Sequence, residues 1–163
     1  MLARSKIHLS YFASVRQLEN YIDGLRAGQP SRVALVSDEL PLISNLSLKQ
    51  NCALILQYHR GFSTVAAHAE ANNYLALFGL QHKADWDYSS LHEIDLFIAK
   101  LIRAALLEEA CIVVDRPYEQ LHANFDMDDV IAIIEKLADH FRECHILEYQ
   151  WEEDRYHGLR RVL

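Results

Sequence analysis

Ala110-Cys111-Ile112-Val113-Val114-Asp115-Arg116-Pro117-Tyr118-Glu119-Gln120-Leu121 is a run of apolar residues that ends in a carboxylate and breaks at a proline. An unalternated apolar run of this length reads as a strand buried on both faces, of the kind a parallel sheet uses. It is the pattern of a strand that delivers an acid, here Asp115, to a nucleotide site. The next residue is a cation. Arg116 stays protonated at any ordinary pH, so the residue beside the acid cannot act as a base.

Working outward, the alternation of Ile7, Leu9 and Tyr11 with polar residues predicts a short strand. Ser14 with Gln17 three residues on is a capping-box start, opening a helix with Leu18, Tyr21, Ile22 and Leu25 on one face and closing at Gly28 and Pro30. Arg32 to Val36 reads as a second, more deeply buried strand. Ser47 with Gln50 repeats the capping box and opens a helix running to Arg60-Gly61, and Ser63 or Thr64 starts another that ends at Gly79. Ser90 with Glu93 predicts the start of the most apolar helix, through Leu96, Phe97, Leu101 and Ala105. Asp126 caps a helix with Val130, Ile133, Ile134, Leu137 and Phe141 at helical spacing, and Cys144 to Tyr149 is the last strand. Strands separated by helices imply right-handed crossovers and an α/β fold, with a mostly parallel sheet of about four or five strands.

Bulk properties narrow the function classes. The 163 residues suit one domain, with 51% apolar and 24% charged residues and no low-complexity linker. A net charge of -7 disfavours nucleic acid, because backbone binding needs clustered Lys and Arg, and the densest basic stretch is the Arg160-Arg161 pair. The three scattered cysteines, Cys52, Cys111 and Cys144, sit among apolar residues and read as reduced thiols. No segment has the length of a membrane span and the N-terminus lacks an apolar signal core, so no direct membrane insertion is expected. The expected location is cytoplasmic, with any membrane association made through a partner.

From Val33 to about Asp154 the order of motifs resembles the second half of an ABC-transporter ATPase domain. Leu42-Ile43-Ser44-Asn45-Leu46-Ser47-Leu48-Lys49-Gln50-Asn51 is similar to the family's "L-F-x-N-L-T-V-x-E-N", and Leu75-Ala76-Leu77-Phe78-Gly79-Leu80 to its "L-x-x-V-G-L". Arg103-Ala104-Ala105-Leu106 followed by Asp115-Arg116-Pro117 resembles "A-R-A-L … D-E-P" at the family's own separation. The resemblance implies one P-loop-type domain over residues 1–163 with an inserted helical subdomain at about 42–106. In that family the strand's terminal Asp holds Mg²⁺ and an acid beside it accepts a proton from the attacking water.

Each position where the resemblance implies a nucleotide contact is altered. The phosphate loop, G-x-x-x-x-G-K-[ST], falls near Leu9 to Arg16, where Ser14-Val15-Arg16 stand for Gly-Lys-Ser and no glycine occurs. A phosphate nest needs inward backbone N–H groups that glycine supplies cheaply, a Lys for phosphate and a hydroxyl for Mg²⁺. The Q-loop glutamine falls at Asp38, and the LSGGQ signature at Leu91-His92-Glu93-Ile94-Asp95. The D-loop aspartate falls at His122 and the switch histidine at Gln150. Two carboxylates near a polyphosphate repel it by about 1 kcal/mol each in water and by more when buried. Glu93 and Asp95 are therefore expected at an interface that meets Lys or Arg of a partner.

The reading that follows is a non-catalytic relative of ABC ATPase domains acting as a binding or regulatory subunit. Its expected partners are a second copy of itself, as a homodimer, or an ATPase-like or membrane-transport subunit met through the loop from Leu40 to Ser47. No catalytic residue, cofactor or metal is expected. His140, Cys144 and His145 lie close in sequence, but adjacent strand residues face opposite sides and cannot converge. Two alternatives stand beside this reading: a weak nucleotide-binding or phosphoryl-transfer enzyme using Asp115 with Arg16 or Arg116, and a stand-alone α/β interaction module.

Overall fold

In the computed structural model, residues 6–122 and 125–153 are described; Asp154 and the Arg160-Arg161 pair lie outside them. Strand β1 (Ile7–Phe12) leads through α1 (Val15–Gly28) to β2 (Val33–Val36), and α2 (Leu48–Tyr58), α3 (Thr64–Leu77) and α4 (Glu93–Ala105) follow before β3 (Cys111–Asp115). A single turn, α5 (Pro117–Gln120), then α6 (Met127–Glu135) lead to β4 (Glu143–Tyr149). The four described strands are all parallel and ordered β1-β4-β3-β2. The architecture is α/β.

Strand alternation divides the core between the two faces of the sheet. Ile112, Val114, Cys144 and Ile146 pack with the apolar sides of α2, α3, α4 and α6 in the larger cluster. Val113, Leu147 and Tyr149 face the other way, onto Leu18 and Ile22 of α1. Phe97, Leu101 and Ile102 of α4 are almost fully buried, so truncating Leu101 to Ala would cost about 2–5 kcal/mol.

The first two helix caps form where the sequence places them. Ser14 Oγ accepts the Gln17 N–H at 3.3 Å while Gln17 Oε1 accepts the Ala13 N–H at 3.1 Å. Ser47 and Gln50 form the full capping box, Ser47 Oγ accepting the Gln50 N–H at 3.3 Å and Gln50 Oε1 accepting the Ser47 N–H at 2.8 Å, whereas Gln17 reaches one residue further back, to Ala13. Gly79, at φ 70°, follows α3, and the Leu80 N–H returns to the Leu75 carbonyl, a chain reversal that favours glycine.

Three expectations change. β2 is an edge strand in which Val33, Ala34 and Leu35 are half-buried and only Val36 is buried, because β3 covers one side of it alone. The apolar helix begins at Glu93 rather than at Ser90, since residues 88–90 form a separate 3₁₀ turn and the His92 N–H is held by Asp95 Oδ2 at 3.0 Å. The helix after Asp126 ends at Glu135, and a 3₁₀ turn (Ala138–His140) carries the chain past Leu137 to Phe141. Among the described residues no helix is long and apolar enough to cross a membrane.

Candidate functional site

In a parallel sheet every strand ends at the same edge, and ligand sites of open α/β sheets lie beyond that carboxyl edge. The positions singled out by sequence gather there: Ser14 after β1, Asp38 after β2, Asp115 and Arg116 at the end of β3, and Gln150 after β4.

The β1–α1 connection is two residues long. Leu9 to Phe12 are strand residues, Ala13 and Ser14 turn the chain, and Val15 opens the helix. The Ser14 hydroxyl is engaged as the helix cap, and Val15 and Arg16 are exposed. Here the extended strand occupies the sequence in which a phosphate loop would wrap its backbone around an anion.

Asp115 is 5% exposed and held from two sides. Arg116 grips it bidentately, Nε to Oδ1 at 2.9 Å and an Nη to Oδ2 at 3.1 Å, and Ser37 Oγ donates to Oδ2 at 3.2 Å. Both carboxylate oxygens thus already accept hydrogen bonds from protein, in the strong charge-assisted geometry that Arg favours. Hydrogen bonding to Asp115 raises the Arg116 pKa above its ordinary value. Arg116 also meets Glu119 at 3.0 Å and lies over the Tyr149 ring at 5.9 Å, with Trp151 stacked on Tyr149 at 4.2 Å. Its backbone is left-handed, φ 48° and ψ 63°. The following Pro117 disfavours the right-handed helical conformation at this residue, and the Arg116 N–H bonds the Leu147 carbonyl at 2.8 Å.

Asp115, Arg116 and Val15 line a cavity of about 340 Å³ against α1. Its charged walls are Glu19, Asp23, Glu39 and Asp115 against Arg26 and Arg116, an acidic excess. Asp38, Glu93 and His122 converge on a second space of about 230 Å³. There Lys100, 7% exposed, reaches Asp38 at 2.8 Å and Gln120 Oε1 at 3.2 Å. Gln120 Nε2 in turn donates to the carbonyls of Val36 and Asp115 at 3.1 and 2.7 Å, which ties β2 to β3. His122, at φ 44° and largely exposed, meets Glu93 at 3.0 Å. Gln150 is exposed and lines neither space.

Asp95 does not stand where an interface acid was expected. It is 2% exposed, and its Oδ2 accepts Lys83 Nζ at 2.8 Å as well as the His92 N–H. Its charge is committed to starting α4, so of the two acids Glu93 alone is at the surface.

No family model matches the chain. Among solved structures, it resembles a dimeric structure of MJ0796, a bacterial ABC transporter cassette, with a TM-score of 0.56 and 19% identity over 82% of this chain and 59% of that one. The fold of this chain is that of part of an ATP-binding cassette. A dimeric post-hydrolysis state of the ATP-binding cassette MJ0796 bound to ADP and Pi aligns with a TM-score of 0.52 and 19% identity, over 78% of this chain and 56% of that one. The chain thus spans less than three fifths of either cassette.

Ser37, Lys100 and Gln120 escaped the sequence reading although they build the floor of this edge. Lys100 left a signal: it lies between Phe97 and Ala104 on the apolar stripe of α4, and a charge on such a stripe is paired or costly. Ser37 and Gln120 left none, because the bonds that tie them across to β3 and β2 span 78 and 84 residues of chain.

Proposed function

We propose that this chain is a non-catalytic, ABC-ATPase-like subunit that binds or regulates a partner and does not turn over ATP. The observation that carries the reading is the Asp115–Arg116–Ser37 cluster: the carboxylate at the metal position is occupied by a bidentate arginine and a serine. Mg²⁺ in phosphoryl-transfer sites shares its shell between carboxylate, water and phosphate oxygens, and here it would first have to displace a fixed cation. The two-residue β1–α1 turn and the acid-rich cavity beside it act in the same direction, because a polyphosphate gains neither a backbone nest nor net positive charge. In this reading Ser14, Val15 and Arg16 are a degenerate phosphate loop.

The partner side rests on an apolar groove of about 610 Å³ along the open edge of β2, lined by Ala34, Leu40, Pro41, Leu54, Ile55 and Leu107. Arg103 braces its rim, donating to the carbonyls of Leu40 and Pro41 at 2.9 and 3.3 Å, and Leu40 and Ile43 are about half exposed. An unpaired strand edge beside apolar side chains suits a protein segment. We assign the groove to a transport subunit or a second ATPase-like chain in the cytoplasm. Calorimetry with ATP and Mg²⁺ tests the first half: no binding is expected up to millimolar nucleotide. A low-micromolar dissociation constant, worth about 8 kcal/mol, overturns it.

A further inference from the structure

At the opposite, amino edge of the sheet, a cysteine of β3 meets a glutamate and a histidine of β4 that lie more than thirty residues further along the chain. Cys111 opens β3 and pairs in register with Glu143 at the start of β4, and His145 lies two residues along the same face. One ligand atom from each of the three lies within 4.8 Å of the other two. Cys111 is fully buried and His145 is 8% exposed.

Glu143 is the partner that Cys111 and His145 share. Glu143 Oε1 accepts from Arg142 and from Gln29, while Oε2 makes a loose ion-pair contact with His145 Nε2 at 3.5 Å. Tyr21 O–H meets His145 Nδ1 at 2.9 Å, and the buried Nε2 has no hydrogen-bond partner. A ring whose Nδ1 is held and whose Nε2 is buried, bare and aimed at a carboxylate beside a thiol has the arrangement of a metal-ligating histidine with its outer-shell partner. On β1, His8 stands opposite His145 in register, exposed, its ring centroid 5.1 Å away.

We propose that Cys111, Glu143 and His145 form a binding site for a divalent transition ion of the Zn²⁺ class, with the fourth position open toward His8 and solvent. Thiolate, imidazole and carboxylate are the donors Zn²⁺ takes, at about 2.0–2.3 Å, so its tetrahedral ligands stand roughly 3–4 Å apart. The cluster, with its donor atoms within 4.8 Å of one another, stands just outside that spacing. A thiolate and a carboxylate balance the ion's charge, and the bound ion links β3 to β4. The expectation of no metal paired His145 with Cys144, which faces the other side of the sheet in the larger core; the cysteine on the correct face comes from the neighbouring strand.

The test uses the tag-free full chain titrated with Co²⁺ and then with Zn²⁺. One equivalent of Co²⁺ is expected to give a thiolate charge-transfer band and tetrahedral visible absorption, both bleached by Zn²⁺. The band should persist in a Cys52→Ser/Cys144→Ser variant and vanish in Cys111→Ser. Zn²⁺ affinity should fall more than about 100-fold in His145→Gln and about 10–100-fold in Tyr21→Phe, the range for outer-shell partners. The wild-type spectrum decides even where a variant fails to fold: no thiolate band at millimolar Co²⁺ overturns the proposal. A band retained in folded Cys111→Ser overturns it as well.

Discussion

Replacing Arg116 by Met keeps the aliphatic stem and removes the charge, isolating the ion pair on which the functional reading stands. Asp115 is 5% exposed, and the Arg116 side chain is 24% exposed. Breaking a buried pair from one side costs about 3–5 kcal/mol because a desolvated charge is left behind. Here Ser37 still donates to Asp115 and the arginine is partly hydrated, which brings the expected loss to about 2–4 kcal/mol. For a chain of this size that lowers the melting temperature by roughly 5–15 °C. Guanidinium unfolding followed by circular dichroism measures it, and Asp115→Asn with the double variant completes a cycle. The two substitutions should be non-additive by at least about 1 kcal/mol, since the neutral amide of Asp115→Asn leaves no charge to orphan. A loss under about 0.5 kcal/mol for Arg116→Met, or additivity in the cycle, would refute the view of Asp115 as a carboxylate committed to its arginine.

Arg116→Glu, which restores an acid beside Asp115, should yield no phosphate release above background, because a base acts only where phosphates and water are already positioned; a phosphate assay reads this directly. Lys100→Met should cost about 1–3 kcal/mol in denaturant unfolding by leaving Gln120 Oε1 buried without its donor. Asp95→Asn should destabilise by a similar amount through the loss of the Lys83 ion pair, and light scattering should show no change in association, since the group is not on the surface. Burial pushes the Cys52 thiol from 9.0 up to about 12. The unfolded chain then loses this proton from about pH 9 while the folded chain keeps it, so stability is full below pH 9 and declines as pH rises toward 12. Cys52→Ala should flatten that alkaline decline, and native Cys52 should resist thiol reagents at pH 8.

Local signals reached far into this fold. The capping box at Ser47, the Ser14 and Ser63 caps, the Gly79 stop and the run Cys111–Asp115 formed as read, because each depends on residues within one or two turns of chain. The parallel α/β class followed from strands alternating with helices, and the resemblance placed Asp38, Asp115 and Gln150, which the fold then brought to the carboxyl edge. Strand order and register were not legible, and they decided the rest. β2 became an edge because, among the described strands, β3 alone pairs with it, which left the apolar groove open. Asp95 read as an interface acid until Lys83 folded over it, and the part that Lys100 plays appeared only when Asp38 and Gln120 met it. The same register set Cys111 against Glu143 and one step from His145. Such meetings are created by burial that many residues share, so the residues that meet need carry no mark of it in their own neighbourhoods.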